Sequence, residues 1–145
     1  MELLRMAREI RAEIDDVWSL VGNFGGLGRW IPEIGCTLEG DGSGAVRTIT
    51  YPDGHVVCER LDALDDHDHV IAYTIVSGSA VPVENLSGTI RLRPGSAAGR
   101  TSVEWVVTAT SDNGIDLAEP LMALAGRALD RTHRLEQAVR AGRRD

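Results

Sequence analysis

The sequence predicts an α+β domain in which an antiparallel sheet packs against one long helix near the C-terminus. Six runs rich in β-branched residues lie between positions 36 and 110, and turn signals separate them, as in consecutive antiparallel hairpins. From position 116 the apolar period changes to that of a helix. A long amphipathic helix needs a surface to cover, and the concave face of a twisted sheet provides one.

Length and composition limit the class of protein. The 145 residues suffice for one domain, residues 1–145, with a substantial core. No apolar run approaches the ~20 residues of a membrane span. The 22 acidic and 15 basic residues give a net charge of −7, so nucleic acid is not an expected partner. Every basic residue is an arginine, which excludes a Schiff-base lysine.

Cysteine usage and the first residues indicate a cytoplasmic protein. Cys36 and Cys58 are too few for a disulfide framework, and the start Met1–Arg5 lacks the features of a secretion signal. The glycine-rich stretch 22–28 has neither the preceding buried strand nor the lysine of a phosphate-binding loop. We therefore expect no cofactor and no metal, while monomer and homodimer both stay open.

The N-terminal elements follow from local patterns. Apolar and charged residues alternate over Met6–Ile14, which predicts a half-buried strand. Two aspartates then offer a cap and negative charge at the start of a short helix, Val17–Val21. A second short helix, Leu27–Trp30, is predicted to stop before Pro32.

The remaining elements are six strands and the long helix. Each predicted strand is bounded by Gly, Pro or Asp turn residues. The strands are predicted over Cys36–Glu39, Ala45–Tyr51, His55–Ala63, Val70–Val76, Glu84–Arg93 and Ser102–Thr110, and the helix over Asp116–Arg140. The helix has one apolar stripe that includes Leu124, Ala128, Thr132, Leu135 and Val139.

Short strings along most of the chain carry a resemblance to a known superfamily through their order and spacing. They are Val17-Trp18, Phe24-Gly25-Gly26, Trp30-x-Pro32, Gly44 to Thr48, Gly54 followed by Glu59-Arg60-Leu61, Tyr73-Thr74-Ile75, Pro82 to Asn85, and Val103-Glu104-Trp105. With these strings the chain resembles the START-like helix-grip superfamily, also called SRPBCC, in its bacterial polyketide cyclase/dehydrase and lipid-transport branch.

The resemblance implies a seven-stranded antiparallel sheet wrapped around the C-terminal helix, with a cavity for an apolar small molecule between them. This chain departs from the family pattern at two positions. Ile31 stands where members often have histidine, and Leu86 stands where they often have tyrosine. Membership fixes no reaction, because members include cyclases, hydrolases and lipid carriers.

The most specific prediction from the residues themselves is a pair formed by Arg47 and Glu59. If 52–54 is a three-residue hairpin loop, Ile49 faces Val57, and both mark the inward side. Arg47 then faces Glu59 on that side, where an unpaired charge would cost several kcal/mol. The pair either binds the polar end of a ligand or closes the core, and a register shift of one residue would separate its members.

Two side chains are weak candidates for acid–base catalysis. Cyclising a polyketide needs a general base with a pKa near the working pH. An adjacent arginine makes Glu59 a weaker base, although burial acts in the opposite direction. Tyr73 is the second candidate for proton transfer, because its strand parity points its hydroxyl inward.

Parity and position give further candidates for the walls of the cavity. Tyr73 and Trp105 alternate in step with apolar neighbours in their strands, so their rings are predicted to point inward. Asn85 would face the cavity only if a bulge changed the alternation of its strand. Small residues such as Ala128 either leave space beside the sheet or allow close packing. The predicted ligand-binding residues are Trp30, Arg47, Ile49, Val57, Glu59, Tyr73, Asn85, Trp105, Leu124 and Ala128.

Three functions stay open from the sequence. The first is binding of a hydrophobic small molecule, apolar or aromatic and polyketide- or lipid-like, between sheet and helix. The second is a polyketide cyclase or aromatase/dehydratase that acts by shape and acid–base chemistry. The third is a protein-interaction domain with a filled interior and no ligand.

Overall fold

In the part of the chain that the structure describes, seven strands form one antiparallel sheet, and a long helix packs against it. The computed structural model describes residues 2–79, 85–109 and 118–142. The strand order is β1-β7-β6-β5-β4-β3-β2, so the first two strands lie at opposite edges of the sheet. The strands are β1 Glu2–Ile10, β2 Gly35–Glu39, β3 Val46–Thr50, β4 Val56–Asp65, β5 Val70–Ser77, β6 Ser87–Pro94 and β7 Thr101–Thr108. The helices are α1 Ile14–Val21 and α2 Ala118–Gly142, with a 3-10 helix at Leu27–Arg29. This arrangement confirms the predicted helix-grip α+β fold.

The first strand and helix begin earlier than predicted. β1 ends at Ile10, although the alternation of apolar and charged residues continues to Ile14. Ile14 instead opens α1, and Glu13 in extended conformation is its N-cap, without a side-chain cap hydrogen bond. The two aspartates that follow lie in the first turn, where negative charge is favourable. The second short helix is a single 3-10 turn.

The hairpin of β3 and β4 has the predicted register. Ile49 pairs with Val57 and Arg47 pairs with Glu59. The turn at 52–54 is closed by a 2.8 Å bond from the Tyr51 amide to the His55 carbonyl. The loop length therefore fixed which residues face each other.

The core lies between the inner face of the sheet and the helices. Its fully buried side chains come from α1, β3, β6, β7 and α2, and they include Val17, Ile49, Leu92, Val103 and Leu135. Among the residues described, no helix is long and apolar enough to cross a bilayer. The predicted strand positions Glu84 and Thr110 and the predicted helix start at Asp116 lie outside the described residues.

Candidate functional site

A buried ion pair joins the central strands β3 and β4. Nε and Nη2 of Arg47 lie 2.8 and 2.6 Å from the same oxygen, Oε1 of Glu59. Arg47 is 5% exposed and Glu59 is 4% exposed. Period-two alternation places both side chains on the inward face with Ile49 and Val57. The predicted pair is thus formed, and it is buried.

Aromatic rings enclose the guanidinium of Arg47. Its Nη1 donates to the Phe24 carbonyl at 3.1 Å, and its Cζ lies 4.1 Å from the centre of the Phe24 ring. The Tyr73 ring centre lies 5.2 Å from the same carbon. These contacts hold the arginine through charge, hydrogen bonds and cation–π attraction together.

Tyr73 lies beside this pair with its ring over a glycine of the next strand. Gly88 is its register partner, and a Cβ there would come within 2.7 Å of the Tyr73 Cζ. Burial, followed by the nearby charge of Glu59, raises the pKa of Tyr73 to about 12. At neutral pH its hydroxyl is therefore protonated and can donate a hydrogen bond.

Arg131 is a second buried arginine, and the sequence interpretation missed it. It lies on α2 and is 7% exposed. Its Nη2 donates to the Tyr51 hydroxyl at 2.7 Å. Among the residues that the structure describes, no carboxylate lies within salt-bridge distance of Arg131. Its position could have been found, since it follows Ala128 by three residues and precedes Leu135 by four, both on the predicted apolar stripe.

Two tryptophans have different hydrogen-bonding environments. Nε1 of Trp105 donates to the Thr132 hydroxyl at 2.8 Å, and that hydroxyl donates to the Ala128 carbonyl at 2.7 Å. The buried Nε1 of Trp30 has no acceptor among the described parts of the chain. Buried polar groups are normally paired, so the Trp30 N–H is a donor available for another partner.

A small cavity lies where these groups meet. Its volume is about 10 Å³, which is near the minimum for one water molecule. Four of the predicted site residues line it. They are Trp30, Arg47, Tyr73 and Trp105, and Arg131 also contributes to the wall. We use the name inner polar cluster for Trp30, Arg47, Glu59, Tyr73 and Arg131.

The other predicted residues lie elsewhere. Ile49, Val57 and Ala128 are buried in the core and do not line this cavity. Leu124 is half-buried and packs against a small second cluster. Asn85 is exposed just before β6 with a φ of 52°, a left-handed conformation that asparagine tolerates. A role in ligand binding stays a prediction for all five.

A family model matches almost the whole chain. The model of the polyketide cyclase / dehydrase and lipid transport family matches residues 1–140. The chain belongs to this family. The resemblance carried by the short strings is thereby confirmed, and the helix-grip fold described above is the fold it implied.

Known proteins similar to this family member include a plant receptor and two bacterial structures. The abscisic acid receptor PYL7 of Arabidopsis thaliana is 31% identical over 101 residues, which are 66% of this chain and 47% of the receptor. The chain thus spans about half the length of that relative. Protein XoxI of Bacillus cereus has 30% identity and a TM-score of 0.82, with 94% of each chain covered. An uncharacterized protein of Bacillus thuringiensis has 29% identity and the same TM-score, with 94% of this chain and 97% of that chain covered.

One end of this helix-grip domain leaves inward-facing apolar residues half-buried. Along β5, Tyr73 is buried and Ile75 is half-buried; along β7, Trp105 is buried and Val107 is half-buried. Both strands run in the same direction, because β6 lies antiparallel between them. Leu124, in the N-terminal half of α2, is half-buried against the same small cluster of Leu86 and Ala109. We call Ile75, Val107 and Leu124 the half-open apolar end.

Proposed function

We propose that the protein binds an apolar or aromatic small molecule between the sheet and α2. The half-open apolar end supplies the surface that the ligand covers, and the inner polar cluster orients the ligand's polar group. Burial of apolar surface drives such binding at about 25 cal/mol per Å², and a few polar groups fix orientation.

The observation that carries the proposal is the half-open apolar end beside the inner polar cluster. Ile75 and Val107 belong to the sheet and Leu124 to the helix, so three elements leave apolar side chains partly uncovered at one place. Residues of the same parity earlier in β5 and β7 are buried, as Tyr73 and Trp105 show. Incomplete packing at one end is typical of an entrance between a sheet and a helix.

The family comparison supports this proposal. The plant relative is a receptor for abscisic acid, a small molecule. The cavity of about 10 Å³ is much smaller than such a ligand, so binding requires the side chains of α2 and the sheet to separate at the half-open apolar end.

A neutral fluorescent probe tests the proposal. We expect N-phenylnaphthylamine to bind the wild-type protein with a blue-shifted emission and to raise its melting temperature. Leu124→Trp should weaken this binding because the indole occupies the half-open apolar end. Met122→Trp is the matched control, since Met122 lies on the same helix and is 76% exposed.

The proposal fails if the wild-type protein neither binds the probe nor is stabilised by it. It also fails if Leu124→Trp and Met122→Trp bind the probe equally well. Native mass spectrometry of the freshly purified protein adds an independent measurement, because a ligand retained during purification appears as an added mass.

A further inference from the structure

We infer that the ligand is a carboxylate and that Arg131 binds its acidic group. This inference rests on the proposed function and adds the chemical class of the ligand. The inference follows from the buried charged side chains. Among the described residues these are Arg47, Glu59 and Arg131. Arg47 and Glu59 neutralise each other at 2.6 Å, so the described part of the interior has one positive charge in excess.

Arg131 retains its charge and has donors to spare. An arginine side chain stays protonated in proteins and presents five N–H donors. The partner of Arg131 within the described residues is the Tyr51 hydroxyl, which is not a carboxylate. An unpaired buried charge is costly, so an anion that reached this position would gain a strong interaction.

The surrounding donors suit a carboxylate. Trp30 has a buried N–H without an acceptor, and the Tyr73 hydroxyl is protonated; both residues line the same cavity as Arg131. A carboxylate can accept from an arginine and from neutral donors at once. Its single negative charge matches the one excess positive charge of the described residues, whereas a phosphate monoester brings about −1.5 to −2.

The helix also sets the expected length of the ligand. Leu124, Ala128 and Arg131 lie on one face of α2, at spacings of four and three residues. Leu124 and Arg131 are therefore separated by about 10 Å along the helix axis. Ala128 presents a small side chain between them. We expect an elongated apolar or aromatic acid whose carboxylate lies about 10 Å from its far apolar edge.

The test compares an acid with its neutral isostere. Naphthylacetate and naphthylacetamide share shape and apolar area but differ in charge. We expect the wild-type protein to bind the acid about tenfold more tightly or better, because hydrogen bonds to charged groups contribute more than neutral ones. Calorimetry or displacement of N-phenylnaphthylamine measures both affinities.

Two variants assign the preference to a residue. Arg131→Met should remove the preference for the acid and leave the affinity for the amide within about twofold. Arg140→Met is the control, because Arg140 is an exposed arginine in the last turn of the same helix. It should keep the preference. The wild-type comparison needs no variant, so it decides the ligand class even if Arg131→Met does not fold.

The possible results separate this inference from the proposed function. Equal binding of acid and amide by the wild type would overturn the carboxylate inference and leave the proposed function standing. A preference that persists in Arg131→Met, or that is lost equally in Arg140→Met, would overturn the assignment to Arg131 and leave the ligand class and the proposed function standing. Failure of the acid, the amide and the neutral probe to bind would overturn both.

Discussion

Arg47 and Glu59 form a cross-strand ion pair in which two nitrogens of the guanidinium contact one carboxylate oxygen, at 2.8 and 2.6 Å. The pair lies inside the domain, with Phe24 and Tyr73 against the arginine. Its burial means that each charge depends on the other, because water cannot replace a lost partner.

Removing one member of this pair should be strongly destabilising. Arg47→Leu leaves Glu59 buried without its cation, and we expect the free energy of unfolding to fall by about 3–5 kcal/mol. The double variant Arg47→Leu/Glu59→Leu should recover part of this loss. Urea denaturation followed by circular dichroism measures both.

An exposed ion pair within β4, the strand that carries Glu59, is the control for that experiment. Arg60 and Asp62 lie 2.9 Å apart, with side chains 46% and 33% exposed. We expect Arg60→Leu to cost less than about 1 kcal/mol. Equal losses for Arg47→Leu and Arg60→Leu would contradict the burial argument.

Gly88 is required by the position of Tyr73. A Cβ at residue 88 would lie 2.7 Å from Cζ and 2.8 Å from Oη of that tyrosine. Gly88→Ala should therefore displace the ring and lower the free energy of unfolding by about 1–3 kcal/mol. Gly126→Ala provides the contrast, because nothing lies within 4 Å of its Cβ on α2. It should stabilise the protein by about 1 kcal/mol through helix propensity. If both substitutions changed the free energy of unfolding in the same direction, the argument that Tyr73 requires a glycine at position 88 would be wrong.

The raised pKa of Tyr73 predicts a loss of stability at alkaline pH. Between pH 10 and about 12 the unfolded chain releases this proton and the folded protein keeps it. The unfolded state then binds fewer protons, so stability falls as pH rises, by about 2–3 kcal/mol over this range. The free energy of unfolding of Tyr73→Phe should fall less over the same range. Parallel pH profiles of the two proteins would show that Tyr73 titrates normally.

The Thr132 hydroxyl should be needed as the hydrogen-bond acceptor of the buried Trp105 indole N–H. Thr132→Val preserves shape but leaves the buried Trp105 N–H without its acceptor, which costs about 1–3 kcal/mol. Thr37→Val, the same change at an exposed position of β2, should alter stability by less than about 0.5 kcal/mol. The indole N–H resonance of Trp105 reports the lost bond directly. An unchanged resonance in Thr132→Val would argue against this role.

Local patterns determined the order of elements and one of the key contacts. The period-two alternation of β3 and β4 and the three-residue turn at 52–54 suffice to place Arg47 opposite Glu59, because the length of a hairpin loop sets the register. The helical stripe likewise located Ala128 and Leu135 on the buried face of α2. The predicted end of the first strand, Ile14, was wrong. Alternation of apolar and charged residues cannot by itself distinguish the end of a strand from the start of a helix.

Only the tertiary structure decided what surrounds the ion pair and where the interior remains partly open. Arg131 contacts Tyr51 across 80 positions of sequence, and Trp105 contacts Thr132 across 27. A local hydrophobic pattern cannot predict contacts between residues so far apart in sequence, because these contacts depend on how α2 lies on the sheet. The half-burial of Leu124 has the same origin. Sequence specified which faces are apolar, and packing of the helix on the sheet determined which apolar and charged groups meet.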